Sequence, residues 1–181
     1  MAKFYETITD DIRDFIAAQK VFFTATAPRE GRINLSPKGL DTFRVLDDKT
    51  VGYLDLTGSG NETAAHLADD GRLTIMMCSF DAKPLILRLY GRGQVVRPRD
   101  AEWENLRPRF PELPGVRQII LLHIESLQTS CGFGVPVLGA SEERQTLLQW
   151  SDKYGADGVA QYQRERNQVS IDGLPTHLFE E

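Results

Sequence analysis

A chain of 181 residues with 26 acidic and 21 basic side chains carries a net charge of −5, so it lacks the basic surplus of a nucleic-acid binder. Its 41% hydrophobic content is enough for one substantial core, and no apolar run is long enough to span a bilayer. Residues 1–20 are too acidic for a signal peptide, and Cys78 and Cys131 lie too far apart to form a metal-type pair; a reduced, cytoplasmic protein without membrane or nucleic-acid partners is expected.

In chain order, Thr9 is read as an N-cap, with Asp10 and Asp11 in the first helical turn and Ile12, Phe15 and Ile16 on one face. From Val21 the period changes to two, which predicts a strand over 21–26, a turn over 28–31 and a returning strand over 32–36. Segments 42–46 and 50–56 flank the polar turn Asp47-Asp48-Lys49. A helix follows over about 61–69, stopped by Gly71. The longest strand candidates are 72–80 and 85–97, joined through Asp81-Ala82-Lys83-Pro84. A short helix at 103–106 and a proline-rich irregular stretch at 107–115 precede an apolar strand at 116–127. Ser141 is read as the cap of a helix carrying Leu147, Leu148 and Trp150, with a second helical run to about 167.

About seven strands with few intervening helices predict a mainly β fold with flanking helices: an antiparallel barrel, closed or nearly closed, because closure removes exposed edges. The expected organisation is a barrel domain over 1–140 and a helical extension over 141–181 packed on it.

The most informative stretch runs over 32–63, where short alternating strands lead into Thr57-Gly58-Ser59-Gly60-Asn61-Glu62-Thr63 and a helix start. Backbone amides at a helix start attract an anion, and Ser, Thr and Lys side chains stand nearby. The same Ser59-Gly60-Asn61-Glu62 also reads as an ordinary capping box, with Ser59 as cap and Glu62 reaching back. Lys38, after Pro37, reads either as a phosphate ligand or as a solvated loop lysine. Arg88 stands among leucines and needs a carboxylate, a phosphate or an exposed tip, and Asp55 is as good a partner as a ligand. Cys131, in Thr-Ser-Cys-Gly-Phe-Gly-Val-Pro, has no histidine near it in sequence and reads as inert, though its glycines suggest a closely approached backbone. His66 reads as a packed or exposed helix residue, His123 as a structural strand residue, and Trp103 and Trp150 as core or interface anchors.

The order of strands, Ser36-Pro37-Lys38-Gly39, the run 53–63, and Leu87-Arg88-Leu89-Tyr90-Gly91-Arg92 together resemble the pyridoxamine 5'-phosphate oxidase-like, FMN-binding split-barrel family over about residues 10–127. The resemblance implies an antiparallel split barrel, a homodimer, and FMN held between subunits. Residue by residue it implies that Lys38 meets the FMN phosphate. Tyr53, Leu54, Asp55 and Thr57 would face the ring and ribityl chain. Asn61, Glu62 and Thr63 would stand at the phosphate, where the family often has basic residues, and Arg88 would lie near the flavin.

The activity implied is that of an FMN-dependent oxidoreductase with a small-molecule substrate or electron donor, no metal, and no side chain needed as nucleophile. The alternative is a non-catalytic flavin- or haem-binding module, with His123 as the barrel-strand candidate for haem. Segments 118–122 and 131–136 are the expected interface contributors. Vitamin-making members end in an arginine- and histidine-containing segment that grips substrate phosphate. This chain offers Arg164 and Arg166, then His177 with no adjacent arginine and a Glu180-Glu181 end, so negligible turnover of pyridoxamine or pyridoxine phosphate is expected.

Overall fold

Eight strands join in one antiparallel sheet in a computed structural model that describes residues 2–139, 142 and 144–179. They are β1 (Lys3–Tyr5), β2 (Phe22–Thr26), β3 (Asn34–Lys38), β4 (Phe43–Val45), β5 (Thr50–Leu56), β6 (Arg72–Cys78), β7 (Ile86–Val96) and β8 (Val116–Ser130). Their order is β3-β2-β6-β7-β8-β5-β4, and β1 also pairs with β8. The helices are α1 (Asp10–Ala18), α2 (Glu62–Asp69), α3 (Trp103–Leu106) and α4 (Thr146–Arg166).

The long strand β8 organises the sheet. It pairs β7 along one edge, and on the other it pairs β5 over its first half and β1 at its far end. A bulge between Tyr90 and Gly91 lets β7 bend around it. At Gly91 the backbones approach so closely that a Cβ would collide with the His123 carbonyl, so no other residue fits there.

The strongly apolar character of β5 and β8 follows from burial on both faces. Val51, Tyr53, Ile120, Leu122 and Leu127 point into the barrel with Leu73, Ile75 and Leu89, while α1 adds Ile12 and Ile16. Leu54, Ile119 and Leu121 point the other way, onto Val96 and Phe110, where Trp103 packs. Segment 118–122 is thus buried within the chain itself, which corrects its reading as an interface strand.

Thr9 caps α1 as expected, accepting from the Ile12 amide at 3.4 Å. The chain leaves α2 through Gly71 at φ 81°, a left-handed position that suits glycine. Strand β1 was not legible in the sequence, because three residues, two of them exposed, carry too little pattern. Ser141 lies outside the described residues, and α4 begins at Thr146 and kinks at Gly155. Within α4 the Trp150 ring packs on Tyr154 and, across the kink, on Tyr162. Among the described residues no helix is long and apolar enough to cross a membrane.

Candidate functional site

The period of two in β3 builds one wall of a cleft. Opposite β2, the pairs are Thr26 with Asn34, Thr24 with Ser36, and Phe22 with Lys38. Asn34, Ser36 and Lys38 therefore share a face, and all three line a cleft of about 740 Å³, while Leu35 points to solvent. The facing wall is the glycine-rich turn and the start of α2, with Asn61, Glu62, Thr63 and His66. Asp55 and Arg117 contribute to the lining from β5 and β8, and the chain after α4 adds Val169, Ser170 and Ile171.

Asp55 is almost completely buried and is the electrostatic centre of the site. Its Oδ2 accepts from Arg117 Nε at 3.0 Å, Arg117 Nη2 at 2.8 Å and Gln118 Nε2 at 2.8 Å. Lys38 Nζ stands 3.5 Å from Oδ1. Burial alone would raise the Asp55 carboxyl, but the charges of Arg117 and Lys38 and the hydrogen bonds from Arg117 and Gln118 outweigh it and hold the group below the usual carboxylate range. The sequence reading offered Arg88 as partner to Asp55. The structure corrects this: Arg117 takes that place, and Arg88 donates to Ser130 Oγ at 3.2 Å.

Arg117 also joins three segments of chain. Its Nη1 donates to the Gly60 carbonyl and to Asn167 Oδ1, both at 2.8 Å. Asn167 Nδ2 donates in turn to the Gly58 carbonyl at 3.1 Å, and Asn61 Oδ1 accepts from Gln118 Nε2 at 2.8 Å. The glycine-rich turn is thereby fixed to both the barrel and the end of α4.

The capping-box reading is also corrected. Asn61, not Ser59, occupies the N-cap of α2, with no side-chain cap bond. The Glu62 carboxylate accepts from the Ile171 amide at 3.0 and 3.1 Å instead of reaching back.

Of the nine residues singled out in the sequence, Lys38, Asp55, Asn61, Glu62 and Thr63 meet at the cleft. Tyr53 lies inside the barrel against Phe22, with Lys38 Nζ 5.9 Å from its ring centroid. Burial, and then the nearby Asp55 charge, push its phenol far above the ordinary range. The Thr63 and Thr24 hydroxyls lie toward Tyr53 Oη without completing a hydrogen bond of full geometry. Leu54 packs in the outer cluster, Arg88 lies on β7, and Thr57 donates to the Gly115 carbonyl at 2.8 Å; none of the three lines the cleft.

Arg117, Gln118, Asn34 and Asn167 escaped the sequence reading. The available signal was the polar pair Arg117-Gln118 heading an apolar strand, since a register that sets Gln118 opposite Asp55 brings the neighbouring Arg117 within reach of the carboxylate. His66, read as packed or exposed, is buried on the cleft wall, with Nδ1 3.0 Å from Thr26 Oγ1 and Nε2 without a partner. His123 is exposed and bonded to Gln94, outside the cleft lining. Cys131 is exposed and Cys78 buried, and the described residues hold no cluster suited to a metal ion.

The chain after α4 folds back over this region. The Asn167 carbonyl accepts from Thr176 Oγ1 at 2.6 Å, Asp172 pairs with Arg32, and Arg99 donates to the His177 and Leu178 carbonyls. Arg166 reaches the cleft, whereas Arg164 packs on the Phe179 ring. Glu180 and Glu181 lie outside the described residues.

Residues 8–131 match the profile of the family described as pyridoxamine 5'-phosphate oxidase. The chain is 40% identical over 195 residues to the pyridoxamine 5'-phosphate oxidase family protein ustO of Aspergillus flavus, covering 97% of this chain and 78% of that protein. Its fold is similar to a putative pyridoxamine 5'-phosphate oxidase from Lactobacillus delbrueckii, with TM-score 0.54, 18% identity, and 68% and 94% of the two chains covered. It is also similar to a FAD-binding protein from Mesorhizobium loti, with TM-score 0.50, 13% identity, and 72% and 99% covered. The strand order, the cleft between β3 and α2 and these matches lead to one conclusion: the chain belongs to the pyridoxamine 5'-phosphate oxidase family and has its antiparallel split β-barrel fold.

Proposed function

We propose that the cleft between β3 and α2 holds FMN and that the protein is an FMN-dependent oxidoreductase acting as a homodimer. The observation that carries this reading is the convergence of Lys38, Ser36, Thr63 and the start of α2 on one cleft, in a chain of this family. A volume of about 740 Å³ falls within the roughly 300–1,000 Å³ of cofactor sites.

The residues present suit a phosphorylated ligand. Lys38 has three donors, only one of which is directed to Asp55, and its side chain remains 25% exposed. The first amides of α2 and the Thr63 hydroxyl add neutral donors. Arg166 brings a further positive charge to the rim. The FAD-binding relative in Mesorhizobium loti supports a flavin as the ligand class.

What a bound flavin supplies is hydride and electron transfer. The chain's own part is to bind and orient it. Arg117 and Asp55 fix the turn 58–60 and α2 to β5 and β8, so that the donors of α2 are preorganised.

The homodimer draws support from exposed apolar surface in the chain after β8, where Phe133, Val137 and Leu138 are 82%, 70% and 55% exposed. Among the described residues the C-terminal chain brings Arg166 to the cleft without a second arginine beside it, because Arg164 packs on the Phe179 ring. Negligible turnover of pyridoxamine or pyridoxine phosphate is therefore part of the reading.

The test is reconstitution. Purified protein mixed with FMN and desalted should retain the flavin's visible colour, sediment as a dimer, and be reducible. A protein that binds no added FMN overturns the reading.

A further inference from the structure

The inner end of the cleft contains a group for which the fold itself has no use. Thr63 and His66 are three residues apart on α2, so they share the face turned toward β2 and β3. The His66 ring is only 1% exposed, with Nδ1 held 3.0 Å from Thr26 Oγ1 and Nε2 buried without a partner. A buried polar atom left unpaired is costly, and such atoms are rare unless something meets them.

We propose that His66 is a phosphate-binding residue of this cleft, donating from Nε2–H to a phosphate oxygen of the ligand. This rests on the reading of the cleft as the FMN site. The Thr26–Nδ1 contact admits either tautomer, and the one in which the Thr26 hydroxyl donates to Nδ1 places the ring proton on Nε2, the state this role requires. Asn34 Nδ2 donates to Thr63 Oγ1 at 3.4 Å, which holds the Thr63 hydroxyl on the cleft wall beside His66. In the tautomer with its proton on Nε2, His66 offers a donor, and phosphate is a group that only accepts.

The alternatives at the start of the helix are already engaged. Asn61 bonds Gln118 and Asn167, and the Glu62 carboxylate holds the Ile171 amide. Lys38, at the other end of β3 from Asn34, supplies the charge, and His66 supplies a directional donor in the same cleft.

The test uses FMN and riboflavin, which differ only in the phosphate, titrated into the full chain by fluorescence. His66→Leu should weaken FMN about tenfold or more, as expected for losing one hydrogen bond to a charged group. It should leave riboflavin affinity unchanged, and His66→Gln, which retains an N–H donor, should recover most of the loss. In the wild-type protein, ¹⁵N-histidine NMR should show the His66 Nε2–H signal moving with FMN and with inorganic phosphate, and staying put with riboflavin.

Unchanged FMN affinity in His66→Leu overturns the proposal, and so does an equal loss of both flavins. If the wild-type protein binds neither flavin, the FMN reading falls separately, and the inorganic phosphate titration decides His66: a shifted Nε2–H supports the phosphate role and an unmoved one refutes it.

Discussion

The barrel and the chain after α4 are held by opposite means. In the barrel, Val51, Leu73, Ile75, Leu89, Ile120 and Leu127 are withdrawn from water almost completely, and stability comes from non-directional burial. Residues 167–179 leave Val169 and Ile171 exposed and are fastened by particular polar contacts: Asn167 to Arg117 and Gly58, Glu62 to the Ile171 amide, and Arg97 and Arg99 to backbone carbonyls. The first kind of attachment depends on area removed from water, and the second on individual partners, so the second can be lost one bond at a time. Arg117 is where the two regions meet, and the cleft lies at that joint.

Breaking the joint should have the largest effect. Arg117→Ala leaves the Asp55 carboxylate buried with only Gln118 and Lys38, and frees the Gly60 carbonyl and Asn167. A loss of about 3–5 kcal/mol in urea unfolding is expected, as for removing one partner of a buried pair. The same pair sets the acid response. With its carboxyl held low in the fold, Asp55 contributes stability that is fully present above the ordinary carboxylate range. As pH falls through that range and toward the lower folded value, the unfolded chain binds the extra proton and stability falls. Urea midpoints measured from neutral pH down to about 3, below the ordinary carboxylate value, should trace this decline, and a flat profile would contradict it.

The two regions separate in the next pair of variants. Leu127→Ala opens a cavity at a fully buried barrel position and should cost about 2–5 kcal/mol, felt as global unfolding. Asn167→Ala removes a buried anchor of the C-terminal chain, and about 1–3 kcal/mol is expected. Its signature should be local: faster hydrogen exchange for amides over 168–176, with β7 and β8 amides unchanged. Equal acceleration in both regions would erase the distinction.

The same contrast explains what could be read from the sequence. Apart from β1, the strands of the barrel were legible because burial imprints a period of two, and the apolar run in β8 announced itself, although its burial on both faces removed it as an interface. Asn61, Glu62 and Thr63 were found because a turn opening a helix is a local pattern, and Lys38 and Asp55 because the family resemblance implied them. Arg117, Asn167 and the role of His66 were not, because their meaning lies in partners far away in sequence. Asn167 meets Gly58 across 109 positions, and no local pattern encodes that contact. Arg88 misled for the same reason: an arginine among leucines demands a partner without naming it, and the partner is Ser130.

The central claim, that the cleft between β3 and α2 holds FMN by its phosphate, is tested most directly by titrating FMN into wild-type protein and Lys38→Ala. The account predicts saturable binding by the wild type and a loss of about 1.5–3 kcal/mol in the variant, the contribution of a charge-assisted hydrogen bond, with the fold intact by circular dichroism. Equal affinity in the two proteins, or no binding by the wild type, would contradict it.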